Sequence, residues 1–189
     1  MRNQLKLFLL ALGFLVAAIP AAQAKQSDDE ERAEIRQQAA SILQQLYKTQ
    51  PGSQQAVESA VGYAVFSNFG MKILFAGGGK GEGLAKDNKT GQETFMKMVE
   101  VQAGLGMGAK KFQLVWVFET QSTLDSFINS GWEIGAQASA AAKSGDNGTS
   151  LEGAVSISPG VWLYQMTEQG LALELTAKGT KYYKNDDLD

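Results

Sequence analysis

Apolar residues recur at helical spacing early in the chain: Ala33, Ile35, Ala39, Ile42, Leu43, Leu46 and Tyr47. This period predicts an amphipathic helix of about five to six turns. A capping box marks its start, Ser27 accepting from the Glu30 amide while the Glu30 side chain reaches back. Pro51-Gly52 ends the run, and Ser53 to Ser59 can add a short second helix. The apolar stripe fits two surfaces, the domain core or a membrane, because surface helices of either kind carry the same pattern.

From Val61 the period changes to two and β-branched and aromatic residues accumulate. Strands are predicted near Tyr63–Ser67, Lys72–Leu84 and Gln92–Ala109, with Asp87-Asn88-Lys89-Thr90-Gly91 as a hairpin loop. In Lys111–Glu119, Phe112, Leu114, Trp116 and Phe118 share one face and Val115 and Val117 the other, so this strand is expected at a central position. Thr120–Asn129 predicts a short helix with Leu124, Phe127 and Ile128 inward. Trp132–Lys143 reads as strand or helix, and Ser144–Ser150 as a polar loop. Val155–Ser158, Val161–Met166, Leu171–Thr176 and Thr180–Tyr183 then form short antiparallel strands, with turns at Glu168-Gln169-Gly170 and Lys178-Gly179. The expected fold is α+β. An N-terminal amphipathic helix and one further short helix accompany a large, mostly antiparallel sheet, strongly curved or barrel-like.

The first 24 residues stand apart from this pattern. Arg2 and Lys6 precede the apolar run LFLLALGFLVAAIP, and Ala22-Gln23-Ala24 supplies a small-x-small cleavage site. The run is shorter than the roughly 20 residues of a membrane span, so a cleaved signal peptide is expected and with it export to the periplasm or beyond. Residues 25–189 would then form one domain. Losing Arg2 and Lys6 takes the net charge from −3 to −5, a balance that argues against nucleic acid as the main partner. The chain has no histidine and no cysteine. A Ser-His-Asp triad, a thiol nucleophile and an ordinary zinc site are therefore excluded. The acids gather at apparent helix starts, turns and the C-terminal tail, so no enzyme, no metal and no cofactor is expected.

Two glycine runs carry the candidate chemistry: Gly77, Gly79, Gly81 and Gly83, then Gly104, Gly106 and Gly108. Every second residue being glycine leaves one face of an extended strand nearly bare. A phosphate-binding loop fails on spacing, because Glu82 and Leu84 stand where G-x-G-x-x-G requires glycine. Two readings remain. The bare faces let strands bend or pack closely, or they floor a smooth groove for an apolar chain. In the second reading Lys72, Lys80, Lys110 and Lys111 flank the groove and meet an anionic head group.

The chain resembles the SYLF domain, a lipid-binding domain of bacterial exported proteins and of eukaryotic membrane-trafficking and actin-patch proteins. Four ordered segments carry the resemblance: GYAVFSNFGMKILFAGGGKGEG (62–83), GLGMGAKKFQLVWVF (104–118), TLDSFINSGWEIGAQASAA (123–141) and GLALELTAKGTKYY (170–183). The chain departs from the family pattern at Ser67, where a proline is common, and at ETFMKM (93–98), where a W-S-x-P-like segment is frequent. The resemblance implies non-catalytic binding of phosphoinositide or another anionic phospholipid. Carried to this sequence, it implicates Lys72, Gly77, Gly79, Gly81 and Gly83; Lys80, Lys110 and Lys111 join them on charge alone. The expected partner is an anionic phospholipid or membrane surface of the cell envelope. Two other functions stay open: a structural protein docking an envelope partner through the glycine-lined face, and a carrier enclosing a lipid tail.

Overall fold

The structure is a computed structural model that describes residues 27–73, 76–103, 108–134, 151–167, 170–171 and 179–189. The expected leader at residues 1–24 lies outside the described residues. Helix α1 spans Asp28–Thr49, α2 Gly52–Ser59 and α3 Gln121–Ser130. Strands β1 (Gly62–Ile73), β2 (Ala76–Asp87), β3 (Glu93–Ala103) and β4 (Gly108–Phe118) precede α3. After it come β5 (Trp132–Ile134), β6 (Val155–Ser158), β7 (Val161–Thr167), β8 (Gly170–Leu171) and β9 (Thr180–Lys184). All pair antiparallel in one sheet of order β5-β9-β3-β2-β1-β4-β7-β6, with β8 on β7. The fold is α+β, as the pattern predicts.

The sheet curls. Four strand spacings separate β4 from β9, about 19 Å if the sheet were flat. Yet the Trp116 and Tyr182 ring centroids are 5.2 Å apart, and Trp116 also meets Trp132 of β5 edge-on at 5.9 Å. The face that closes on itself is therefore concave, and Phe127 of α3 is wedged among those rings. This concave core holds Phe66, Met96, Met98, Leu114, Trp116, Phe118, Leu124 and Tyr182. The sheet's other, convex face carries α1.

Helix α1 begins as its sequence requires, with both hydrogen bonds of the Ser27–Glu30 capping box formed. Ile35, Ala39, Ile42 and Leu46 are buried against Val65, Leu84, Phe95, Val115, Val117 and Tyr164 of the convex face. Ala33, counted in the predicted stripe, is exposed. The C-terminal residues strap the helix down. Leu188 is buried beside it, its carbonyl accepts from Arg32 Nε at 2.9 Å, and the Asn185 amide donates to the Phe95 carbonyl. Arg36 bonds Glu93 at 2.7 Å and stacks over Phe95. In this structure α1 packs on the core.

Several boundaries differ from the sequence pattern. The predicted strand Lys72–Leu84 is the end of β1 and most of β2, and Gln92–Ala109 likewise divides into β3 and the start of β4. No Asn, Asp, Pro or Gly separates Ile73 from Ala76, so turn chemistry gave no warning of the reversal. Trp132–Ile134 is strand; 135–150, including the polar loop, lies outside the described residues, as do 172–178 and Glu168-Gln169 of the predicted turns. Strand β4 is central, with Phe112 and all of Leu114–Phe118 buried between β1 and β7.

Candidate functional site

Register assigns each predicted site residue to a face, because residues paired across antiparallel strands share one. Gly77, Gly79, Gly81 and Gly83 stand opposite Lys72, Gly70, Asn68 and Phe66 of β1, and opposite Gln102, Glu100, Met98 and Met96 of β3. All four glycines therefore occupy the concave side. Lys72 and Lys110 hold concave register positions as well, Lys72 between Gly77 and Gly108, and Lys110 opposite Gly70. Lys80 and Lys111 hold convex ones, both opposite Phe69. The four lysines do not converge. Lys110 and Lys111 are neighbours on one strand, and Lys80 lies between two glycines, so alternation parts each from the other set.

Near the middle of β2 the bare face is filled. The Phe66 ring lies over Gly83, and a Cβ on Gly83 would strike the Val65 carbonyl oxygen and come within 2.6 Å of Phe66 Cδ1. On Gly81 it would come within 2.6 Å of the Ser67 carbonyl oxygen and 2.7 Å of Met98 Cγ. Large side chains thus occupy the space that the glycines vacate, and with Ala64 and Ala85 they let the sheet close over α3. Gly81 and Gly83 are a buried packing seam, not the open floor of a groove. Of the second run, Gly104 and Gly106 lie outside the described residues, and Gly108 opens β4 opposite Lys72.

The convex face presents a different arrangement past the end of α1. One row of paired positions reads Lys111, Phe69, Lys80, Val99, Lys181 across β4, β1, β2, β3 and β9. Lys111, Lys80 and Lys181 are exposed. They alternate with apolar positions about 10 Å apart, two strand spacings each. Beyond this row, toward the strand ends, the convex positions are Ala109, Met71, Gly78 and Val101, then Ile73, Ala76 and Ala103. A cationic band is thus followed by positions bearing no charge.

Behind the band, under α1, lies a cleft of ≈ 480 Å³ lined by Gln38, Ser67, Lys80, Glu82, Lys97 and Tyr183, among others. Lys97 is engaged with Asp187 at 2.7 Å, which together with the nearby acids raises its pKa. Glu82 is shifted upward, first by burial and then by Glu31 and Glu34 of α1, with Lys97 opposing. Glu82, Lys97, Tyr183 and Lys181 were absent from the sequence-based site. Glu82 and Lys97 face each other across the β2–β3 pair, whereas Tyr183 and Lys181 arrive through β9 pairing with β3 from some 80 residues away, which no local spacing reports.

Residues 99–189 match the Ysc84 family, described as "Las17-binding protein actin regulator". Over 159 residues the chain is 32% identical to Beta cell expansion factor A of Aeromonas veronii, covering 84% of this chain. The protein belongs to the SYLF (Ysc84) family. This SYLF chain spans 59% of the length of that relative. Among the described residues no group of three or more acids could hold a metal ion, and no helix is long and apolar enough to cross a membrane.

Proposed function

We propose that this SYLF domain binds anionic phospholipid at a membrane surface without catalysis, using its convex face. The row Lys111-Phe69-Lys80-Val99-Lys181, bordered by uncharged strand ends, is the observation that carries this reading. Lysines at the phosphate level contribute about 1 kcal/mol each near an anionic surface. The uncharged rows extend about 14 Å farther, four residues of strand, toward the acyl region. Lys80 and Lys111 keep the role charge gave them; Lys181 replaces Lys72 and Lys110, whose register puts them on the other face. The leader-like residues 1–24 support a cell-envelope setting for this binding, after export.

The test is vesicle co-sedimentation of residues 25–189. Lys80→Gln with Lys111→Gln removes two charges, so affinity for vesicles containing phosphatidylglycerol falls about thirtyfold. Added salt weakens the wild type similarly. Lys48→Gln with Lys89→Gln, away from the row, leaves binding unchanged. Equal losses in both pairs would leave only a net-charge effect and remove the site. A protein partner is the other reading, favoured by the family's description as a Las17-binding actin regulator. It predicts a stable complex with a purified partner that survives the Lys80 and Lys111 changes.

A further inference from the structure

The cleft beside the lysine row contains two opposite charges that do not neutralise each other. Lys80 and Glu82 are two residues apart on β2 and share the convex face, their backbones about 7 Å apart. Neither forms a salt bridge among the described residues, although Lys97 next to Glu82 is tied to Asp187 and Lys86 further along β2 pairs with Glu93. Ser67 and Lys97 are the cross-strand partners of Glu82, while Gln38 of α1 and Tyr183 of β9 complete the walls. The cleft thus combines hydroxyl and amide groups with a carboxylate, eased only by the Lys97 field, and an ammonium, neither of them in a salt bridge among the described residues.

Resting on the membrane reading above, we propose that this cleft receives a phosphate–primary-ammonium zwitterion, as in a phosphoethanolamine head group, with the phosphate on Lys80 and the ammonium on Glu82. The acidic surroundings favour a cation at that position: Glu31 and Glu34 add to the negative field, and Asp187 offsets the charge of Lys97. A primary ammonium supplies three donors to the carboxylate and to the oxygens of Ser67, Gln38 and Tyr183. A trimethylammonium supplies none. It is recognised by aromatic cages, and Tyr183 is the sole aromatic residue among those lining this cleft. The lysine row therefore sets affinity for negative surface, and the cleft sets preference among neutral lipids.

Vesicles with a fixed phosphatidylglycerol fraction, made up with either phosphatidylethanolamine or phosphatidylcholine, test this. The protein binds the ethanolamine vesicles about tenfold more tightly, the worth of one charge-assisted hydrogen-bonded contact. Glu82→Gln abolishes the preference while retaining binding to phosphatidylglycerol. A preference arising only from the looser packing of ethanolamine lipids would persist in Glu82→Gln, and that result overturns the proposal. So does equal binding to both vesicles by the wild type. Soluble glycerophosphoethanolamine, titrated by NMR, separates the sources. Shifts at Lys80 and Glu82 that vanish in Glu82→Gln support the site for free as well as lipid-borne groups. If the wild type ignores phosphatidylglycerol vesicles but shows those shifts, the membrane reading fails and the cleft stands.

Discussion

Replacing Gly83 by alanine separates the two meanings of the glycine stripe. An added methyl group strikes the Val65 carbonyl oxygen and comes within 2.6 Å and 2.9 Å of two carbons of the Phe66 ring. The carbonyl belongs to the paired strand and cannot retreat without breaking register, while Phe66 is fully buried among Tyr182 and Phe127. Overpacking of this kind costs about 1–3 kcal/mol, and a fixed backbone atom puts Gly83→Ala at the upper end. Alanine recovers about 0.5–1 kcal/mol over glycine in a strand, leaving a net loss of about 2 kcal/mol. Gly78→Ala is the control: Gly78 is exposed and its nearest neighbour is the Glu100 carbonyl oxygen at 3.4 Å. That variant is unchanged or slightly more stable, by up to about 0.5 kcal/mol. Urea unfolding then shows midpoints separated by roughly 1 M, given an m-value of about 2 kcal/mol/M. Indistinguishable midpoints would refute the packing seam and restore an open groove at Gly83.

Leu188→Ala, at a side chain 2% exposed beneath α1, costs about 2–3 kcal/mol in urea unfolding; a neutral result would show that the C-terminal strap does not hold the helix. Ser27→Ala removes the cap on Glu30 N and lowers stability by about 1 kcal/mol, read by thermal melts, with Ser27→Asp retaining most of it. Burial, with Glu31 and Glu34, holds the Glu82 carboxyl above its ordinary pKa, so the folded chain takes up this proton more readily than the unfolded chain. Its contribution is therefore greatest at acid pH and declines as pH rises through the raised value. Glu82→Gln is accordingly more stable than the wild type at pH 7, by about 0.5 kcal/mol or less at this solvent-screened position, and the advantage disappears near pH 4. A constant difference across that range would contradict the assignment.

The helix α1, its cap, the central strand β4, the inward face of α3 and the Asp87–Gly91 hairpin were legible from residue periodicity, because each depends on neighbours within one turn or one strand. So was part of the site's division. Lys110 follows Lys111's neighbour rule on a strand, and Lys80 sits between Gly79 and Gly81, so alternation alone already assigns them to opposite faces. The clustering of four lysines ignored that rule. The glycine stripe announced a strand with one bare face but could not say what covers it. Phe66 is local to the β1–β2 pair; Met98 comes from the next strand, and the curl that makes the face concave shows in ring contacts between distant strands, Trp116 with Tyr182 and Trp132.

What the sequence by itself determined is the α+β class, the elements with strong period and the SYLF family, all fixed by short-range pattern and ordered motifs. Only the tertiary structure decided which face each charge occupies relative to α1, that Lys97 and Tyr183 join Lys80 and Glu82 around one cleft, and that Lys181 extends the row beside it. The reason is the pairing of β3 with β9. A contact between strands so distant in sequence is selected by burial of the whole concave core, and no local residue pattern encodes it.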